Sequence, residues 1–237
     1  MVLTWRSRLK MEKINKTKRG LIITLILSIF IMFIIDYYVK PGYVPKSIVK
    51  IILFLILPLV FTAKDKNISN KDYFKIKNKR KLIKSLLLGI GVYIIILGAY
   101  FILKDFINLD NIKERLLESI SVNKSNFVII SIYISFVNSL LEEFFFRGFI
   151  FLGLKKLGKR IYAHIISGLA FAIYHVAIMF NWFNWQLFIV AILGLFIGGI
   201  LFNYLNEENE NIYSSWLVHM FANFAINTVG FIMYGII

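Results

Sequence analysis

Seven apolar runs constrain this chain more than any other feature: roughly Leu21–Val39, Ile48–Ala63, Leu82–Leu103, Phe127–Leu152, Ile161–Phe180, Gln186–Leu205 and Ile212–Ile237. A helix of about 20 apolar residues crosses the hydrocarbon of a bilayer. The expected fold is therefore all-α, a polytopic transmembrane helical bundle. Of the 237 residues, 59% are hydrophobic and the mean hydropathy is +0.73. A soluble domain holds about 45–50% apolar residues. Pro58, inside the second run, is tolerable in a span whose neighbours can satisfy the freed carbonyl.

The net charge of +15 invites a nucleic-acid reading, but the distribution argues against it. Lys and Arg crowd residues 1–20, the block from Lys64 to Lys84 (with Lys77-Asn78-Lys79-Arg80-Lys81) and the turn Lys155, Lys156, Lys159, Arg160. Those are the places where the positive-inside rule puts them. The partner they imply is the lipid bilayer, with no nucleic acid. The N-terminus is placed in the cytosol, in a multi-pass protein of the cell membrane. The run from Leu21 is too long for a signal-peptide core and no small-residue cleavage site follows it, so it reads as a retained first span. With no cysteine, disulfides, thiol nucleophiles and thiolate metal sites are excluded.

Three regions follow: a basic cytosolic segment (1–20), N-terminal spans with a basic loop and an outer amphipathic helix (21–125), and a region carrying the chemistry (126–237). The amphipathic helix is read from Leu109, Ile112, Leu116 and Ile120, which recur at helical spacing within Lys104–Ser125. The aromatic turn Asn181-Trp182-Phe183-Asn184-Trp185 fits the outer interface. Gly194, Gly198 and Gly199 point to close helix packing in the sixth span.

Within the fourth span stands Leu140-Leu141-Glu142-Glu143-Phe144-Phe145-Phe146-Arg147-Gly148. An ionisable group at the centre of a span costs about 2.5–3.5 kcal/mol even on lenient scales, so three so close together need pairing or function. Glu143 and Arg147, four apart, share a helix face and can neutralise each other. Glu142, about 100° around the helix, is left without that partner and is the residue available for chemistry. Two of the three histidines also fall inside spans: His175, ending Phe171-Ala172-Ile173-Tyr174-His175, and His219, stacked one turn before Asn223. His164, near a span end, reads as interfacial. Counting from the cytosolic ends puts Glu142, His175 and His219 at about 15, 22 and 12 Å depth, within reach of one another if the helices tilt.

Glu-Glu-x-x-x-Arg, Phe-x-x-x-His and His-x-x-x-Asn, in this order over roughly Asn126–Gly230, resemble the CPBP family of intramembrane proteases. That family includes type II CaaX prenyl endopeptidases and bacteriocin-processing or abortive-infection proteins. It usually has eight spans, so about seven to eight are expected. The resemblance implies a general base at Glu142, a supporting pair at Glu143 and Arg147, a water-holding histidine at His175 and an oxyanion pair at His219 and Asn223. It implies an intramembrane endopeptidase, with a peptide or membrane-protein substrate. No cofactor is favoured. Zinc is the alternative, with Glu142, His175 and His219 as its ligand set, though no His-Glu-x-x-His motif is present. Two competing functions are a non-proteolytic scaffold or bacteriocin-immunity protein retaining the motif structurally, and an ion-coupled transporter.

Overall fold

The computed structural model describes residues 5–65, 67–69, 73–76, 78–158, 160–180 and 182–237. Lys77 of the basic loop, Lys159 of the basic turn and Asn181 of the aromatic turn lie outside the described residues, as do residues 1–4, 66 and 70–72.

Among the described residues there is no strand, and seven helices have the length and composition to cross a membrane. In chain order the helices are α1 (Ser7–Val39), α2 (Tyr43–Lys64), α3 (Lys79–Phe106), the short amphipathic α4 (Leu109–Ile120), α5 (Phe127–Leu157), α6 (Arg160–Met179), α7 (Trp185–Glu208) and α8 (Tyr213–Met233). The chain is a multi-pass membrane protein. Several helices run past the apolar stretches, because hydrogen bonding rather than hydropathy ends a helix. Helix begins already at Trp5, so the basic residues ahead of Leu21 are continuous with the first span. Helix α2 starts five residues before its apolar run, which brings Lys46 and Lys50 onto one helical face. Helix α8 stops at Met233, where Gly235 turns the chain with φ +60°.

α4 buries Ile112 and Ile120, and Ile120 packs with Val122, Phe127 and Tyr234 at the end of the bundle remote from the basic loop. The Asn108 side chain caps its first turn by accepting from the Asn111 amide.

The main core lies where α1, α2, α5 and α6 meet. Phe145, Phe146, Phe149 and Phe151 of α5 are fully enclosed there, and Phe145 stacks on Phe54 at 4.3 Å between centroids. Such pairs add about 0.5–1.5 kcal/mol beyond their burial. Helix α3 packs along α8, where Gly89 lies against Phe221, and α7 packs along α6. Of the three glycines expected to mark close packing, only Gly199 does so: a Cβ there would meet the Gly168 Cα at 3.0 Å. Gly194 and Gly198 have nothing within 4 Å and face outward. The outer face of α3 is apolar, with Ile94, Ile95 and Ile102 each more than 60% exposed, as a lipid-facing surface requires.

Four stretches widen to i→i+5 hydrogen bonding: Ile35–Val39, Ile52–Ile56, Ile134–Asn138 and Glu143–Leu152. The second sits just before Pro58, whose missing N–H breaks the ordinary ladder. The last two bracket Glu142 on both sides. Wide turns of this kind re-aim side chains and commonly accompany functional sites.

Candidate active site

Glu142 lies midway along α5, buried on all sides. The count from the apolar run placed it nearer the basic end, and the extension of α5 to Leu157 accounts for the difference. Its Oε1 accepts from Lys50 Nζ at 2.5 Å and from Asn138 Nδ2 at 3.0 Å. Lys50 also donates to Asn138 Oδ1 at 2.5 Å, closing a three-residue ring. Contrary to the expectation from helical spacing, Glu142 is therefore not unpaired. Its counter-ion comes from α2, and the ammonium lies over the rings of Tyr174 and Phe54 at 4.9 and 5.4 Å. The second oxygen, Oε2, has no hydrogen-bond partner and faces both imidazoles, 3.9 Å from His175 Nε2 and 3.7 Å from His219 Nε2.

Glu143 points to the other side. Its Oε1 lies 3.3 Å from Arg147 Nη1, as the four-residue spacing predicts, and accepts from His219 Nδ1 at 2.9 Å. The Arg147 guanidinium makes no well-aligned hydrogen bond. It is sandwiched between Phe171 and Phe202, with its central carbon 4.0 and 4.9 Å from the ring centroids. Arginine suits this position because its flat, weakly hydrated guanidinium can stack on two aromatic faces at once, a geometry a compact ammonium does not share. Two carboxylates, Glu142 and Glu143, thus meet two cations, Lys50 and Arg147.

Hydrogen bonding fixes the face each imidazole presents. His175 Nδ1 is 2.8 Å from the Phe171 carbonyl, which only accepts, so Nδ1 carries a proton. In the neutral ring Nε2 then offers its lone pair toward Glu142. His219 follows the same rule, donating from Nδ1 to Glu143. Its ring stacks on Phe202 at 5.3 Å. Three acceptor atoms therefore converge: Glu142 Oε2, His175 Nε2 and His219 Nε2. A group that donates protons is the natural occupant of the space between them.

The expected residues do not all meet there. Glu142, Glu143, Arg147, His175 and His219 form one connected cluster. Asn223 is tied to the backbone: its Nδ2 donates to the carbonyl of Ile134 at 3.2 Å, at the start of the first wide turn within α5. His164 joins Glu207, Arg160 and Lys155 at the basic end, as its interfacial position suggested. Phe144, Phe145 and Phe146 are buried packing residues.

The sequence motifs assign no role to Lys50, Asn138 or Tyr174. Lys50 had a signal, since it is an ionisable residue inside the second apolar run. Asn138 is one turn before Glu142 and was also in view. Their pairing needs tertiary structure, because Lys50 and Glu142 are 92 residues apart.

Among the described residues, no group of three or more histidine and carboxylate side chains is spaced to hold a metal ion. Tetrahedral zinc would bring its ligand atoms to about 3.3 Å from one another, whereas the two Glu142–imidazole separations are 3.7 and 3.9 Å. The remaining Glu142 oxygen already holds an ammonium.

Over residues 124–225 the chain matches the family model described as Rce1-like, type II CAAX prenyl endopeptidase Rce1-like. No curated protein and no solved structure gives a match. The matched stretch contains all six motif residues, while Lys50 lies outside it.

Proposed function

We propose that the chain is an intramembrane endopeptidase of the CPBP type, a reading supported by its match over residues 124–225 to the Rce1-like type II CAAX prenyl endopeptidase model. It hydrolyses a peptide bond in a membrane-associated peptide or protein. The observation that carries this reading is the convergence of Glu142 Oε2 with two imidazole Nε2 atoms inside a helical bundle.

A water held there donates one hydrogen to Glu142 and the other to His175. Glu142 removes a proton as the water oxygen bonds to the scissile carbonyl carbon, and that proton passes to the departing amine. Base catalysis of this kind contributes on the order of 10²–10⁴-fold. His219, held in register by Glu143, presents Nε2 as an acceptor while neutral; having first taken up a proton from solvent there, it donates that N–H to the developing oxyanion. Asn223 has one amide hydrogen on the Ile134 carbonyl and a second for the same oxyanion. Each such donor in a water-poor site lowers the barrier by about 3 kcal/mol. Lys50 and Arg147 are the counter-ions of the two carboxylates. The basic blocks Lys64–Lys84 and Lys155–Arg160 support an N-terminus in the cytosol.

A second reading draws on the Lys50–Glu142 pair. A carboxylate neutralised by a buried ammonium also serves as a purely structural tie between helices, as in a scaffold or immunity protein. Incubating purified protein with candidate membrane peptides, with and without a strong chelator, separates the readings. The protease cleaves in both arms, a zinc enzyme loses activity with chelator, and a scaffold cleaves in neither.

A further inference from the structure

At the end of the bundle remote from the basic loop lies a chamber of about 260 Å³. Its wall combines Asp36 and Lys40 from the end of α1, Lys46 from α2, Arg115 and Ser119 from α4, and Ala177 from α6. None of these belongs to the sequence motifs. We propose that this chamber holds water and is the route by which the water consumed at Glu142 enters the bundle; this rests on the hydrolytic reading given above.

Three observations carry it. First, two helices link the chamber wall directly to the site. Lys46 in the wall and Lys50 on Glu142 are one turn apart on α2. Ile178 in the wall and Tyr174 are one turn apart on α6, with His175 between them in sequence. One turn advances about 5.4 Å. Second, a buried polar atom in the chamber wall and another beside the site lack a hydrogen-bond partner within the protein. Asp36 is only 7% exposed; its Oδ1 is ion-paired to Lys46, while its Oδ2 has no hydrogen-bond partner. The Tyr174 hydroxyl is buried without a hydrogen-bond partner while its ring lies under Lys50. Buried polar atoms are nearly always hydrogen-bonded, to water where protein offers nothing. Third, ionisable residues within spans almost always pair with one another or face a water-filled cavity. The Asp36–Lys46 and Lys50–Glu142 pairs, stacked along α2, do both if the chamber is wet. At about 30 Å³ per molecule it has room for several waters.

The test exploits the lack of cysteine, which makes any introduced thiol unique. Ala177→Cys reports on the chamber and Ile95→Cys on the lipid-facing side of α3. Each is exposed in sealed membranes to a charged, membrane-impermeant thiol reagent. Ala177→Cys is expected to react at least about tenfold faster than Ile95→Cys, since the reagent attacks only a hydrated thiolate. It should do so only from the side opposite the Lys64–Lys84 loop. Adding Ser119→Trp, which intrudes from the surface helix rather than the packed bundle, should slow both that labelling and peptide cleavage by about tenfold. If Ala177→Cys is as inert as Ile95→Cys while cleavage proceeds, the water route is wrong and the protease reading survives. If Ala177→Cys reacts but the protein with Ala177 intact cleaves nothing, the chamber is hydrated and the hydrolytic reading fails instead.

Discussion

Lys50 Nζ and Glu142 Oε1 lie 2.5 Å apart, with both side chains at least 95% buried and with α2 and α5 joined through them. The pair decides what α2 contributes to this protein. Without it, the second span would be only an apolar wall. With it, the span supplies the counter-ion of the central carboxylate, and Asn138 bonds to both members of the pair.

Removing one member of such a pair strands the other. Lys50→Met is expected to destabilise the protein by about 3–5 kcal/mol, the usual cost of an uncompensated buried charge. The double variant Lys50→Met/Glu142→Gln should recover most of that loss, because the neutral amide needs no counter-ion. Denaturation in detergent micelles, run as a double-mutant cycle, reads the coupling directly. Additive losses would show that the two charges do not depend on each other.

His219 separates structure from chemistry. Asn at this position can keep a donor near the Nδ1 position for Glu143 but offers nothing at the Nε2 position. His219→Asn should therefore retain stability to within about 1 kcal/mol, the worth of an ordinary hydrogen bond. It should lose on the order of 10²–10³-fold in kcat, as when one oxyanion donor is removed. Parallel thermal unfolding and cleavage assays check both halves.

Much of this arrangement was legible in the sequence, for physical reasons. Hydrocarbon thickness sets span length, so seven spans could be counted from apolar runs. Charge in lipid demands an explanation, so Glu142, Glu143 and Arg147 stood out, and the Glu143–Arg147 pair followed from helical spacing alone. The partners across helices did not. Lys50 reaching Glu142, His219 reaching Glu143 and Arg147 lying between Phe171 and Phe202 depend on which faces of separate helices meet. Asn223 shows the limit most clearly. Its partner is a backbone carbonyl in a wide turn at Ile134–Asn138, and no side-chain pattern announces that turn. Gly194 and Gly199 are indistinguishable by composition, yet one faces outward and the other touches a neighbouring backbone.

That last contrast is testable. Gly199→Leu forces side-chain atoms against the Gly168 backbone and should cost about 1–3 kcal/mol as α6 and α7 separate. Gly194→Leu, with open space around it, should lie within about 0.5 kcal/mol of the parent. The midpoints of detergent-phase unfolding compare the two.

Arg147→Lys keeps the charge and loses the flat stack between Phe171 and Phe202. A loss of about 2 kcal/mol is expected, the scale of a desolvated cation–π contact. The same unfolding measurement reports it, and an unchanged midpoint would mean that charge alone is needed.

The most direct test of the central claim is cleavage of a membrane-embedded peptide in heavy-oxygen water, comparing the parent protein with Glu142→Gln. The parent should release a fragment whose new carboxylate contains one heavy oxygen, while the variant, present at the same level, is slower by on the order of 10²–10⁴-fold. Cleavage at equal rates by both proteins, or none by either, would contradict the account.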